Sequence, residues 1–217
     1  ALGEVMQARQ KLDEVYAALR STPDEFTVHP KLAKQLAARD ALFADGTVDW
    51  ALAENQRAGS PYFGRIDAAQ VAYSGWSCGG LQALQLAKDP RVKTLVIHNS
   101  GVLNDGPGTI PGMDVRKDVL QTLQTPVIYI LGGPTDIAYA NGMDDFKRVA
   151  HVPIAMANLP GGHGGTFLEP NGGPAASVAV SWLDWQLRGD ADSARRFVGE
   201  NCGLCQDARW SLERKQF

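Results

Sequence analysis

The chain has 217 residues, 44% of them hydrophobic, with 21 basic and 24 acidic side chains for a formal net charge of −3. This composition describes a globular domain large enough for a real core. No run approaches the roughly 18 apolar residues of a membrane span, and mixed charge without a basic stripe argues against nucleic acid as a partner.

In chain order, residues 1–58 read as helical. Leu2, Val5, Met6, Leu12, Val15, Tyr16 and Leu19 recur at helical spacing until Ser21-Thr22-Pro23-Asp24 interrupts them. A second helix is expected from Pro30 through Leu42, and Thr47 is expected to cap a third over Val48–Ala53. No strand is expected before Ile66. The chain opens on Ala1 without a visible secretory signal, so it reads as a processed or truncated form.

The pattern then changes. Short apolar runs at 69–74, Val92–His98, Pro126–Leu131 and Pro153–Leu159 alternate with helical stretches near 79–88, 115–123, 138–150 and 174–188. Strand-like runs separated by helices predict an α/β fold, a parallel sheet with right-handed crossovers. Their nearly continuous apolar character predicts cover on both faces. Residues 191–217 are expected to be a tail holding Cys202-Gly203-Leu204-Cys205. No second Cys or His pair stands at zinc-binding spacing, and the setting of a redox Cys-x-x-Cys is missing. The two cysteines are then either ordinary thiols or a short structural disulfide. The disulfide is the expectation, and with it a secreted or periplasmic location.

The most informative stretch is Val71-Ala72-Tyr73-Ser74-Gly75-Trp76-Ser77-Cys78-Gly79-Gly80, a strand-like approach that ends in Gly-x-Ser-x-Gly and passes directly into a helical pattern. This is the layout of a nucleophile elbow, in which Gly75 and Gly79 let the backbone bend beside an exposed Ser77 hydroxyl. The helix that follows aims unpaired N–H groups at the same space. The backbone N–H of Cys78 is the natural first donor to an oxyanion.

Partners for Ser77 are expected past later strand ends. Val127–Leu131 runs into Gly132-Gly133-Pro134-Thr135-Asp136, and the last strand runs into Gly161-Gly162-His163-Gly164-Gly165. The order Ser77, Asp136, His163 is the one that accompanies the elbow motif. A serine hydroxyl is a poor nucleophile until an imidazole removes its proton, and the imidazole needs a carboxylate to fix its tautomer. Capping the helix that begins at Ile137 would also explain Asp136. His163, with two glycines on each side, would lack order unless something held it.

Other polar residues read more plainly. Trp76, Asn99 and Tyr139 flank strand ends and are expected to shape a substrate pocket, although packing explains the two aromatics equally well. His98 is expected to satisfy a core hydrogen bond, His29 and His151 to be solvated, and Asp144 and Asp145 to form an exposed helix face. Cys78 lies too close to the turn backbone to act as the nucleophile.

Over about residues 60–190 the chain resembles the α/β-hydrolase superfamily, on the strength of Gly75-Trp76-Ser77-Cys78-Gly79-Gly80, Gly132-Gly133-Pro134-Thr135-Asp136 and Gly161-Gly162-His163-Gly164. More narrowly, it resembles bacterial secreted hydrolases of the dienelactone-hydrolase-like and esterase-like branch, which often carry Gly-x-Ser-Cys-Gly-Gly and a Cys-Gly-Leu-Cys tail. The resemblance implies Ser77 as nucleophile, His163 as general base and acid, and Asp136 as the orienting carboxylate. It implies an elbow strand and three later strands as the C-terminal half of the family's sheet. The earlier strands, which supply the second oxyanion donor, have no counterpart in the helical first 58 residues. One edge of such a half-sheet would lie open, so a missing N-terminal piece, a second chain or an unusual N-terminal arrangement is expected to cover it. Cys78 either packs inertly or forms a disulfide, whose partner would then lie on the missing piece.

These observations point to a serine esterase that cleaves a small-molecule carboxylic ester through an acyl-enzyme, with neither metal nor organic cofactor. Activity is expected to rise from mildly acidic to neutral pH, because His163 must be neutral to act as base. The same three residues also suit a peptidase or amidase, and a non-catalytic binding scaffold is the reading from another class.

Overall fold

The computed structural model describes residues 46–104 and 115–217. The helices expected within 1–42, and His29, lie outside the described residues. A helix, α1, covers 46–56, so Thr47 sits inside it and not at its cap.

The remaining elements follow in chain order: β1 (Val71–Trp76), α2 (Cys78–Gln85), β2 (Val92–His98), β3 (Val127–Leu131), α3 (Tyr139–Arg148), β4 (Ile154–Asn158), α4 (Gly173–Arg188), α5 (Ala191–Ala194), α6 (Gly203–Gln206) and β5 (Ser211–Lys215). The stretch expected to be helical near 115–123 is a 3-10 turn, Lys117–Thr122. Among the described residues the strands form one five-stranded sheet in the order β1-β2-β3-β4-β5. The first four are parallel, and β5 runs antiparallel to β4. The architecture is α/β, as the alternation of apolar runs and helical stretches predicts.

Successive residues of a strand point to opposite faces, and the core divides accordingly. Leu95, Ile97, Tyr129, Leu131, Ile154 and Met156 pack with Leu81 and Leu84 of α2 and Phe146 of α3. Val96, Ile128, Ile130, Ala155 and Ala157 pack on the other face with Val178 and Trp182 of α4 and with Phe197. Thr94, a polar residue in the buried run of β2, is satisfied twice: it donates to the Pro126 carbonyl (2.8 Å) and accepts from the Trp182 indole (2.7 Å). β2, β3 and β4 are covered on both faces, whereas β1 is half-buried, with Ser74 and Trp76 exposed.

The sheet has one strand more than the sequence reading expects, and residues 191–217 are not a loose tail. β5 pairs along β4 from Asn158↔Ser211 to Ile154↔Lys215 and covers that edge. Phe197, Cys202, Leu204 and Trp210 anchor the segment in the second core, and the Cys202–Cys205 disulfide is formed. The Lys215 ammonium donates to the Val149 (3.0 Å) and Lys147 (3.1 Å) carbonyls, which closes the C-terminal end of α3. No helix among the described residues is long and apolar enough to cross a membrane.

Candidate active site

Parallel strands deliver the ends of β1, β2, β3 and β4 to one side of the sheet, and the polar residues of interest converge there. Ser77 follows β1 directly. Its N–H continues the ladder by donating to the His98 carbonyl (3.0 Å), and its own backbone is held at φ 53°, ψ −119°. A positive φ on a residue with a Cβ is strained and persists only where the surroundings enforce it. Here the Ser100 hydroxyl donates to the Ser77 carbonyl (2.6 Å), and the Gly80 N–H donates to the same oxygen (2.9 Å).

The glycines of the turn are not equivalent. A Cβ on Gly75 would stand 2.0 Å from the Gly79 carbonyl oxygen, and one on Gly80 would stand 2.5 Å from the Ser100 Cβ. A Cβ on Gly79 meets nothing within 4 Å among the described residues. Gly75 and Gly80 therefore permit the close approach, and Gly79 does not, contrary to its expected part in the bend. Gly75→Ala is expected to cost about 2 kcal/mol by overpacking against backbone. Gly79→Ala, inside a helix, is expected to be neutral or to gain up to about 1 kcal/mol; paired denaturant melts of the two variants check both.

Ser77 Oγ lies 3.0 Å from His163 Nε2, and His163 Nδ1 lies 2.7 Å from Asp136 Oδ1. Asp136 is buried, and its carboxyl is the hub of the region. Oδ1 also accepts from the Ala138 N–H (2.9 Å), while Oδ2 accepts from the Gly132 N–H (3.0 Å) and the Asn99 amide (2.8 Å). Burial pushes the carboxyl up, but the hydrogen bonds from Ala138, Gly132, His163 and Asn99 together hold it below the ordinary aspartate value. An ionised carboxylate only accepts, so Nδ1 carries the imidazole proton, Nε2 is the acceptor and the serine hydroxyl is the donor. Asp136 thus caps a turn and holds the imidazole at once. The helix-cap explanation fails, because α3 begins at Tyr139 with Ala138 at its N-cap and no side-chain cap.

His163 is ordered by backbone. The Gly161 and Gly162 N–H groups both donate to the Gly132 carbonyl (3.0 Å each), and a Cβ on Gly132 would stand 1.9 Å from the Gly162 carbonyl oxygen. The histidine loop is clamped to the end of β3, the strand that presents Asp136. The Trp76 indole donates to the His163 carbonyl (3.0 Å), and its ring lies 5.0 Å from the imidazole.

Neither the family models nor the curated proteins compared with the chain gave a match.

The residues expected around a pocket separate. Asn99 is buried at φ 41° and does face the depression beside Ser77, but its amide hydrogens go to Asp136 and to the Gly162 carbonyl (3.1 Å). It joins the ends of β2 and β3 to the histidine loop. Trp76 braces that loop, and Tyr139 packs against the first core; neither lines the depression. The depression, about 90 Å³, is walled by Leu81, Leu103, Ile137, Ala138 and Asn141 in addition to the polar centre. Sequence reading passed over Leu103 and Asn141, which lie outside any motif. A larger hollow of about 380 Å³ between Gln85, Lys88, Val119 and Thr122 holds no hydroxyl–imidazole pair, so chemistry and not size marks the site.

Cys78 lines the depression as a free, exposed thiol. Its N–H opens α2, where no preceding turn accepts it. His98, expected to satisfy a core hydrogen bond, is buried with Nδ1 unpartnered among the described residues and its ring edge-on to Phe167 at 5.3 Å. Burial pulls its pKa down to about 4, so the ring stays neutral. His151 is exposed, with Nε2 3.1 Å from the Leu123 carbonyl. Asp145, expected on an exposed face, is fully buried. No group of three or more potential metal ligands gathers among the described residues.

Proposed function

We propose that the chain is a serine hydrolase of the α/β-hydrolase type that cleaves carboxylic esters through an acyl-enzyme. The observation that carries this reading is the unbroken hydrogen-bond chain Ser77–His163–Asp136, at 3.0 and 2.7 Å, with its hydroxyl facing an open depression. In the reading, Ser77 Oγ bonds to the ester carbonyl carbon while its proton passes to His163 Nε2. Asp136 stabilises the imidazolium and keeps its tautomer. The Cys78 N–H faces the oxygen that becomes negative. Collapse of the tetrahedral species breaks the bond to the leaving alcohol, which takes the proton from His163, and water repeats the sequence to release the acid. The Cys202–Cys205 disulfide supports an extracytoplasmic place of work.

Labelling with a fluorophosphonate probe tests this. Wild-type protein is expected to take up one label, and Ser77→Ala none. Label that persists in the variant places the nucleophile elsewhere, and an unlabelled, folded wild type ends the hydrolase reading. A matched ester and amide given to the same protein then separate esterase from amidase.

A further inference from the structure

Besides the free Cys78 thiol, one side-chain amide of the depression is left unspent by the proposed chemistry. Ser77 and His163 bond to each other, the Asn99 amide hydrogens are committed to Asp136 and Gly162, and the Ser100 hydroxyl is committed to the Ser77 carbonyl. Asn141 differs. Its side-chain oxygen accepts the Asn104 N–H (3.1 Å), and its amide nitrogen has no partner among the described residues. Because a backbone N–H can face only the oxygen of a side-chain amide, that bond also decides which end of the amide is which. Two donor hydrogens are thereby left on a half-buried residue whose neighbours along the wall, Leu103, Ile137, Ala138 and Leu81, are apolar.

Asn141 is also held in place. A Cβ on Gly101 would stand 2.3 Å from the Gly142 nitrogen, so the loop after β2 lies directly against α3 at this point. Lys117 donates to the Asn141 backbone carbonyl (3.3 Å). An amide fixed in this way is preorganised to donate, and a substrate that leaves it unpaired forfeits that bond and desolvates the group. Ser77 and Asn141 line the same depression of about 90 Å³, so an ester whose carbonyl lies at Ser77 brings its acyl group to the amide.

We infer that Asn141 is a specificity residue that selects esters bearing a hydrogen-bond acceptor, such as an ether, hydroxyl or keto oxygen, in an otherwise apolar acyl group. The inference rests on the hydrolase reading. Its test compares 4-nitrophenyl methoxyacetate with 4-nitrophenyl butyrate, acyl groups of the same length that differ by oxygen for methylene. The intrinsic reactivity difference of the two esters cancels when the ratio of their kcat/KM values is compared between proteins. In Asn141→Leu the methoxyacetate-to-butyrate ratio is expected to fall about tenfold, the worth of one neutral hydrogen bond. Asn141→Asp keeps an oxygen for the Asn104 N–H but removes the donor, and the ratio is expected to fall similarly even if the leucine variant folds poorly. An unchanged ratio in a folded variant overturns the inference. So does an equal loss of 100-fold or more on both esters, which would assign the amide to the reacting carbonyl. Turnover and Ser77 labelling with an unchanged ratio remove this inference alone, whereas no turnover of either ester and no label remove the hydrolase reading beneath it.

Discussion

Ser77→Ala and His163→Ala are each expected to lower kcat for a carboxylic ester by about 10⁶-fold, and the double variant is expected to be no slower than either single one. The reason is the shared proton. With the hydroxyl 3.0 Å from Nε2, the serine has no nucleophilicity without the imidazole, and the imidazole has no proton to take without the serine. Asp136→Asn is expected to be milder, at about 10⁴-fold. Its amide can offer an N–H to Nδ1, which drives the proton to Nε2 and leaves the serine facing a donor. The Gly132 and Ala138 N–H groups and the Asn99 amide already crowd the carboxylate with donors, so an introduced amide has little freedom to turn its oxygen toward the ring. Single-turnover kinetics on a chromogenic ester, with folding checked by circular dichroism, measure all four proteins. Losses that multiply in the Ser77/His163 double variant would show that the two residues act separately and would sink the mechanism.

The parts that are legible in the sequence and the parts that are not divide along physical lines. β2, β3 and β4 are covered on both faces, so their residues form continuous apolar runs that stand out without an alignment. Ser77, Asp136 and His163 are legible because chain order and strand ends constrain them together, although each alone has an ordinary explanation. β5 escapes because Ser211, Glu213, Arg214 and Lys215 make a polar edge strand with only Leu212 and the preceding Trp210 turned to the core. Asp145 is legible as buried from its spacing: Gly142, Asp145, Phe146 and Val149 recur as a buried helical stripe, and the aspartate lies on it. Asn99 and Asn141 could not have been sorted into their places. What distinguishes them is which partner takes each amide hydrogen, and that is settled by loops that meet across the strand ends.

Asp145→Ala is expected to destabilise the fold by about 4 kcal/mol, measured by denaturant unfolding near neutral pH. The carboxylate pairs with Lys117 (2.6 Å) and accepts from the Val102 N–H (2.8 Å) and the Tyr129 hydroxyl (3.1 Å). Removing it strands two buried donors, each costing roughly 1–3 kcal/mol, and loosens a buried ion pair whose loss costs about 3–5 kcal/mol. Asp144, 2.9 Å from the same ammonium, keeps Lys117 from being left wholly unpaired, so the two costs do not simply add. The pH dependence has a definite sign. Burial, only partly offset by Lys117, Val102 and Tyr129, pushes the Asp145 carboxyl up to about 6, above its ordinary value near 3.8. Between these values the native state keeps a proton that the unfolded chain has released, so this group's contribution is fully present below about pH 4 and declines as pH rises through 6. Asp145→Asn lacks the titration, and its stability relative to wild type is therefore expected to improve from pH 4 to pH 6.5. A difference that stays flat or runs the other way would mean that the buried pair, and not burial, controls the carboxyl. Val102 lies between Gly101 and Leu103 in the wall of the Ser77 depression, so the same variant is expected to raise KM for an ester more than it lowers kcat.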